Sequence, residues 1–318
     1  MANTLLNAVK DLRNDSLRDL VSASAFTGEE EAATPSFQGS NYGYISGGGP
    51  AGPIENVVER FSFTSDGGGT DVGNLFEGRY NCSGQSSSTH GYTCAGQPGA
   101  KNTIDKFPFT SGFTTATDVG NLTGVRNKVA GQSSIPNGYG YNTGGGNVIE
   151  KFSFTSDGNS TSVGNTLASR EYAVGQSSTT HGYASGNYPI TTDIDKFPFS
   201  SDGNSTDVGD LTVGRGGNFG QSSTTHGYTA GGYSPVGNDD PIDKFSFATD
   251  GNATDVGDLT VGRQTGAGSS STTHGYSAGG YGPGTSNIID KFPFSTDANA
   301  TDVGDLTLGR YQGAGQQY

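Results

Sequence analysis

The chain has 318 residues, a net charge of −14, 54 glycines and 30% hydrophobic residues, too turn-rich for a helical protein and long enough for one large all-β domain. The acidic balance argues against a nucleic-acid partner, which needs clustered Lys and Arg to displace counterions from a phosphate backbone. No apolar run reaches the ~18 residues of a membrane span, and the start lacks a basic region followed by an apolar core, so neither membrane insertion nor a secretory signal is expected.

Residues 1 to 34 differ from everything after them. Between Asn3 and Ser22, Leu5, Val9, Leu12 and Leu20 fall near one helical face with Leu6 and Leu17 beside it, and Asn14-Asp15 breaks the pattern. Glu29-Glu30-Glu31 and Pro35 then mark a linker into residues 35 to 318. Two readings stand: a helix that packs on the rest of the chain or frays, and a docking segment for other proteins of a larger assembly.

From residue 35 onward the chain is built from repeats. A first Phe recurs at Phe61, Phe107, Phe152, Phe197, Phe245 and Phe292, a period that implies units too small to bury a core alone. Phe245-Ser246-Phe247 alternates apolar and polar residues, so Phe245 and Phe247 share a face. Asp250-Gly251-Asn252 is a hairpin signal before Asp255-Val256-Gly257-Asp258-Leu259. The Gly-rich run after Arg263 and His274-Gly275-Tyr276-Ser277-Ala278 supply two more strands. Four antiparallel strands per repeat predict a propeller blade, and six repeats predict an all-β, six-bladed propeller.

The two ends predict how the ring closes. Ser40 to Gly48 matches the second-strand phrase without a first strand before it. Arg310 to Tyr318 matches a first strand and then stops. A C-terminal strand over 311 to 317 is expected beside an N-terminal strand over 42 to 48, which removes an exposed sheet edge.

The distance from Arg to the next Tyr is constant (Arg79 to Tyr92, Arg263 to Tyr276), whereas that from Tyr to the following Phe varies. Length variation therefore sits in the loop between the second and third strands, where recognition on a rigid scaffold usually resides. Candidate loops are Gly96 to Thr103, Asn187 to Thr192 and Tyr233 to Pro241, and Tyr188, Tyr233 and Tyr281 are the candidate binding residues, with rings able to stack on sugars.

His90, His181, His226 and His274 occupy one repeat position, with Tyr42 and Asn137 assigned to the other two blades. Positions a blade apart do not converge on one zinc, so His226 is read as hydrogen-bonding within its turn and no metal is expected. The Asp250 to Asp255 turn resembles a calcium loop only faintly, and Asp and Asn capping backbone N–H groups is the simpler account. Asp255 and Arg263 recur together and read as a pair holding the fourth strand to the next blade. Cys82 and Cys94 sit symmetrically about a predicted hairpin, which leaves a disulfide open, although its absence from other repeats shows that the fold does not need one. Nearly every polar side chain recurs in register, the opposite of a single catalytic constellation, so no enzymatic activity and no cofactor are expected.

Paired glycines ending the second strand (Gly47-Gly48, Gly144-Gly145, Gly231-Gly232, Gly279-Gly280), then a variable loop, an aromatic strand and an Arg, resemble the kelch-type propeller repeat. The chain departs from that pattern in having no Trp. The phrases Asp-Lys-Phe-Pro-Phe, Thr-Asp-Val-Gly-Asp-Leu and Gly-Gln-Ser-Ser-Thr-Thr-His-Gly-Tyr are similar to those of kelch-like virion proteins of marine tailed bacteriophages, over about residues 40 to 318. This resemblance implies a structural accessory of a phage particle, assembled in the host cytoplasm, docked on other virion proteins through residues 1 to 34 and presenting its propeller to host-surface glycans. A free carbohydrate-binding lectin is the alternative.

Overall fold

The computed structural model describes residues 38–49, 54–110 and 112–318, and the expected N-terminal helix and docking segment lie outside them. The described residues form 24 strands in six four-stranded antiparallel sheets, arranged as the blades of a β-propeller. The blades are numbered 1 to 6 from the one that contains Tyr42–Ser46. In blade 5 the strands are Phe219–Ser222, His226–Ser234, Gly237–Ser246 and Thr254–Asp258, from the axis outward. The innermost strands of the others are Ala314–Gln317, Ser83–Ser86, Val129–Ser134, Val174–Ser177 and Ala267–Ser270.

Blade 1 is made from both ends of the described chain. Ala314–Gln317 pairs antiparallel with Tyr42–Ser46, Tyr44 opposite Gln316. The pairing is shorter than the 311 to 317 span expected, because Tyr311 bridges Gly49 separately and Gln312 turns between the two.

The core lies between blades. The second-strand Tyr of each blade packs on both Phe rings of the next: Tyr228 lies 5.4 Å from Phe292 and 4.8 Å from Phe294, and Tyr276 closes the circle 5.6 Å from Phe61. Phe245 and Phe247 meet Tyr183 in the same way, their own rings 5.9 Å apart and edge-on. The glycine of each His-Gly-Tyr phrase is required here, because a Cβ at Gly227 would enter the cross-strand ring of Phe245. Offset and edge-on aromatic contacts of this kind add about 0.5–1.5 kcal/mol each beyond burial.

Two sets of ion pairs cross the blade boundaries. In the inner one an Arg ending each repeat, buried except for the partly exposed Arg126, meets a carboxylate on the third strand of the next blade: Arg79–Asp105, Arg126–Glu150, Arg170–Asp195, Arg215–Asp243, Arg263–Asp290 and Arg310–Glu59. The pairing of Arg263 with Asp255 is thus corrected. Asp255 is exposed and accepts from the Gly257 N–H of its own bulge, while Asp290 is buried 2.7 Å from the guanidinium. The outer set, present at five of the six boundaries among the described residues, joins Lys106–Asp157, Lys151–Asp202, Lys196–Asp250, Lys244–Asp297 and Lys291–Asp66 with half-exposed carboxylates.

Near the axis the innermost strands touch directly. A Cβ on Gly84, Gly131, Gly175, Gly220, Gly268 or Gly315 would overlap the carbonyl of the equivalent glycine in the preceding blade. Gln amides reach outward from the same strands, as when Gln176 Nε2 donates to the Tyr228 carbonyl, 3.0 Å. Blade 6 has Ser269 at that position.

Candidate functional site

After each inner-circle Arg the chain turns into the next blade through one residue with positive φ: Asn81 (55°), Lys128 (59°), Tyr172 (55°), Gly217 (68°), Thr265 (56°) and Gln312 (61°). The left-handed region costs a non-glycine residue roughly 1–2 kcal/mol, and here a hydrogen bond offsets it. The N–H of Asn81 donates to the Gln312 carbonyl (2.8 Å), Lys128 to Asn81 (2.8 Å), Tyr172 to Lys128 (3.1 Å) and Gly217 to Tyr172 (2.8 Å), while Thr265 donates to Gly217 and Gln312 to Thr265. The result is a closed circle of six backbone hydrogen bonds around the axis.

Outside this circle, in five of the six blades the residue before the turn bonds the backbone at the end of the second strand or in the loop after it. Gly216 exchanges backbone hydrogen bonds with Tyr233 (3.0 and 2.8 Å), Gln264 with Tyr281 (2.9 and 2.7 Å), Tyr311 with Gly49 (3.1 and 2.8 Å) and Tyr80 with Gln97 (3.1 and 2.9 Å). In blade 4 the Tyr188 N–H donates to the Glu171 carbonyl, 2.8 Å. Each of these pairs supplies one Tyr, opposite a Gly, Gln or Glu. Blade 3 has Asn127 and Gly146 there and supplies none.

Five tyrosines, Tyr172, Tyr188, Tyr233, Tyr281 and Tyr311, line one cavity of about 440 Å³ on this face. Tyr188, Tyr233 and Tyr281 are 55%, 41% and 46% exposed, although aromatic rings of that size are normally covered. Two pairs stand edge-on, Tyr172–Tyr188 at 6.5 Å and Tyr281–Tyr311 at 5.6 Å. Gln264, Thr265 and Gln312 add neutral polar side chains. Beneath lies a neck of about 110 Å³ lined by the innermost-strand glycines, room for roughly three or four waters. The cavity is therefore a cup open at one end of the axis.

The wall comes from blades 4, 5, 6 and 1, and blades 2 and 3 contribute no lining residue. On that open side Lys128 bonds Glu171 (2.9 Å) and lies 4.7 Å above the Tyr172 ring. The three loop tyrosines expected from sequence thus converge. Tyr172 and Tyr311 complete the wall from connectors of constant length, where no binding residue was expected. Their signal was present: Tyr80 and Tyr311 follow Arg where Asn127 and Gly216 stand in other repeats.

The remaining candidates have structural places. His226 Nδ1 lies 2.8 Å from Thr225 Oγ1 and its N–H donates to Ser223 Oγ, 2.9 Å. The corresponding position in blade 3 is held by Tyr139, not Asn137, because a longer hairpin shifts the phrase. Burial, then the neighbouring Lys244 charge, holds the His226 imidazole below its ordinary value. In the Asp250 turn the carboxylate bonds Lys196 and Asn252 Oδ1 accepts the Asp210 N–H. Among the described residues no cluster of three or more His, Cys, Asp or Glu can hold a metal. Cys82 and Cys94 are free and buried, and burial pushes the Cys82 thiol up to about 12. Adjacent-strand pairing places Ser83, not Cys82, opposite Cys94, which is why the two do not meet.

No protein-family model matches this sequence, and no curated protein matches it. Among solved structures the chain is similar to one described as "Structure of YjhT", with a TM-score of 0.62 and 13% identity, covering 74% of this chain and 86% of that one. At that identity the likeness shows the fold, a six-bladed β-propeller, and nothing finer.

Proposed function

We propose that this chain is a non-enzymatic recognition propeller that binds carbohydrate in the tyrosine cup, and that it does so as an accessory protein of a tailed-phage particle. The observation that carries the binding role is the convergence of five tyrosines on one cavity. The recurring Arg–carboxylate and Lys–Asp pairs cross blade boundaries, whereas the rings of Tyr188, Tyr233 and Tyr281 are exposed. A concave aromatic site with a few neutral polar groups is the usual form of a small-ligand pocket. The lining has no adjacent nucleophile and base of the kind catalysis requires.

The particle setting rests on the resemblance of the repeat phrases to kelch-like virion proteins, with residues 1 to 34 as the docking segment. The polarity of the propeller supports that arrangement. Gln38 Nε2 donates to the Ser222 carbonyl (2.9 Å) and the Gly39 N–H to the Ser270 carbonyl (2.8 Å). Both carbonyls end innermost strands at the face opposite the cup, so the chain enters at one end of the axis and the cup opens at the other.

A glycan array probed with the whole protein and with Tyr188→Ala and Tyr281→Ala tests the binding role. Wild-type hits lost in both variants are expected, and hits retained by both refute the site. Mass spectrometry of purified particles, followed by assembly with a chain lacking residues 1 to 34, tests the setting. Absence from particles, or normal incorporation of the truncated form, leaves the free lectin.

A further inference from the structure

We propose that the cup recognises the end of an uncharged glycan, and that the rest of that glycan leaves over blades 2 and 3. This inference rests on the carbohydrate reading above.

The absence of charge follows from the donors. A concave turn binds anions when its backbone N–H groups are free. Here the N–H groups of Asn81, Lys128, Tyr172, Gly217, Thr265 and Gln312 are all spent on one another. The one cation in that circle, Lys128, lines the neck beneath but is already paired with Glu171, no Lys or Arg lines the cup itself, and the chain carries −14 overall. An anionic sugar would lose its water and find no counter-charge, a cost that an uncharged ring does not meet. Gln264, Thr265 and Gln312 match hydroxyl groups, and the tyrosines match the apolar faces of sugar rings.

End recognition follows from shape. The floor is narrow, because the innermost strands abut through their glycines and the neck of about 110 Å³ has room for only a few waters. A polymer cannot thread the axis. A volume of about 440 Å³ lies near the small end of the ~300–1,000 Å³ range of ligand pockets, so a terminal unit or two fits and a long stretch does not.

Direction follows from the break in symmetry. Tyrosines wall the cup along blades 4, 5, 6 and 1. Blade 2 carries Tyr80 at the corresponding position, outside the cavity lining, and blade 3, where the other blades have a Tyr, has Asn127 and Gly146. A ligand seated among the rings has its open path there. Asn127→Tyr would place a Tyr at the one such position that has none.

The test is calorimetric titration of the full chain with methyl glycosides of neutral hexoses and of N-acetylhexosamines, their linear tetramers, the corresponding uronic acids, and choline. Neutral glycosides and tetramers should bind wild type, with uronic acids weaker by about tenfold or more. Asn127→Tyr should leave the monosaccharide within about twofold and weaken the tetramer by about tenfold. Tetramers blocked at one end or the other check the direction without any variant: blocking one end should abolish binding and blocking the other should not. Equal binding of uronic acids overturns the claim of neutrality, and equal binding of both blocked tetramers, or an unchanged tetramer affinity in a folded Asn127→Tyr protein, overturns end recognition over blade 3. If choline alone binds, or no sugar does, the carbohydrate reading itself fails.

Discussion

Removing Asp290 and removing Asp66 both delete one carboxylate from a set of blade-to-blade ion pairs, yet the structure predicts very different costs. Asp290 lies 2.7 Å from Arg263 with both side chains 0% exposed, and it also accepts the Thr260 N–H (3.0 Å) and hydroxyl (2.6 Å). Asp290→Ala leaves a guanidinium charge in place without water, which costs about 3–5 kcal/mol, and strands the Thr260 N–H for roughly 1 kcal/mol more. Asp66 is 60% exposed beside Lys291, so Asp66→Ala should cost at most about 1 kcal/mol. For a chain of this size 1 kcal/mol corresponds to roughly 2 °C in Tm, which separates a loss of about 8–12 °C from one of about 2 °C or less. Circular-dichroism melting at low salt and in 1 M NaCl makes the comparison. Salt shortens the screening length to about 3 Å and should erase the Asp66 effect while leaving that of Asp290. Replacing both Arg263 and Asp290 by apolar residues should not restore stability, because Arg263 also donates to the carbonyls of Val261, Ser277 and Gly279. Equal losses for Asp290→Ala and Asp66→Ala would refute the reasoning.

Deleting residues 311 to 318 removes the strand that pairs with Tyr42–Ser46 and the Gln316 amide that reaches Ser46 and the Tyr92 carbonyl; melting should drop sharply, and an unchanged curve would refute closure by this strand. His90, His181, His226 and His274 are all held below the ordinary value of 6.5, first by burial and then by a neighbouring Lys. As pH falls the unfolded chain takes up these protons first, so their contribution is intact above about pH 6.5 and declines below it until the folded-state values are passed. Replacing all four with Tyr, the residue at Tyr42 and Tyr139, should flatten the dependence of the urea midpoint on pH between about 7 and 5; an unaltered slope would place the titration elsewhere.

The blades were legible because the phrases repeat almost verbatim and the Phe, Tyr and Gly within each phrase share one role in the packing between sheets. The three loop tyrosines were legible because they fall where segment length varies. Tyr172 and Tyr311 were not, since they stand in connectors of constant length, and only the turn through a left-handed residue lifts them to the cup. The partner of Arg263 was misassigned for a related reason. Asp255 and Asp290 both recur, and recurrence does not say which carboxylate faces the blade boundary. Pairing beside the bulge at Gly257 leaves Asp255 exposed, whereas Asp290 sits on a third strand buried on both faces. The misplacement of Asn137 came from a longer hairpin, which shifts Tyr141 into the core position without altering the look of the phrase.

The entry of the chain at Gln38 and the opening of the cup lie at opposite ends of the innermost strands, and this fixes how the molecule carries tension. A pull between the Gln38 end and the cup end of the axis runs along those strands, whereas their ladder bonds to the second strands lie across the pull. Bonds loaded in that direction share a force and yield together, instead of opening one at a time like a zipper. Because each innermost strand also abuts its neighbours on both sides, such a load is shared around the whole circle.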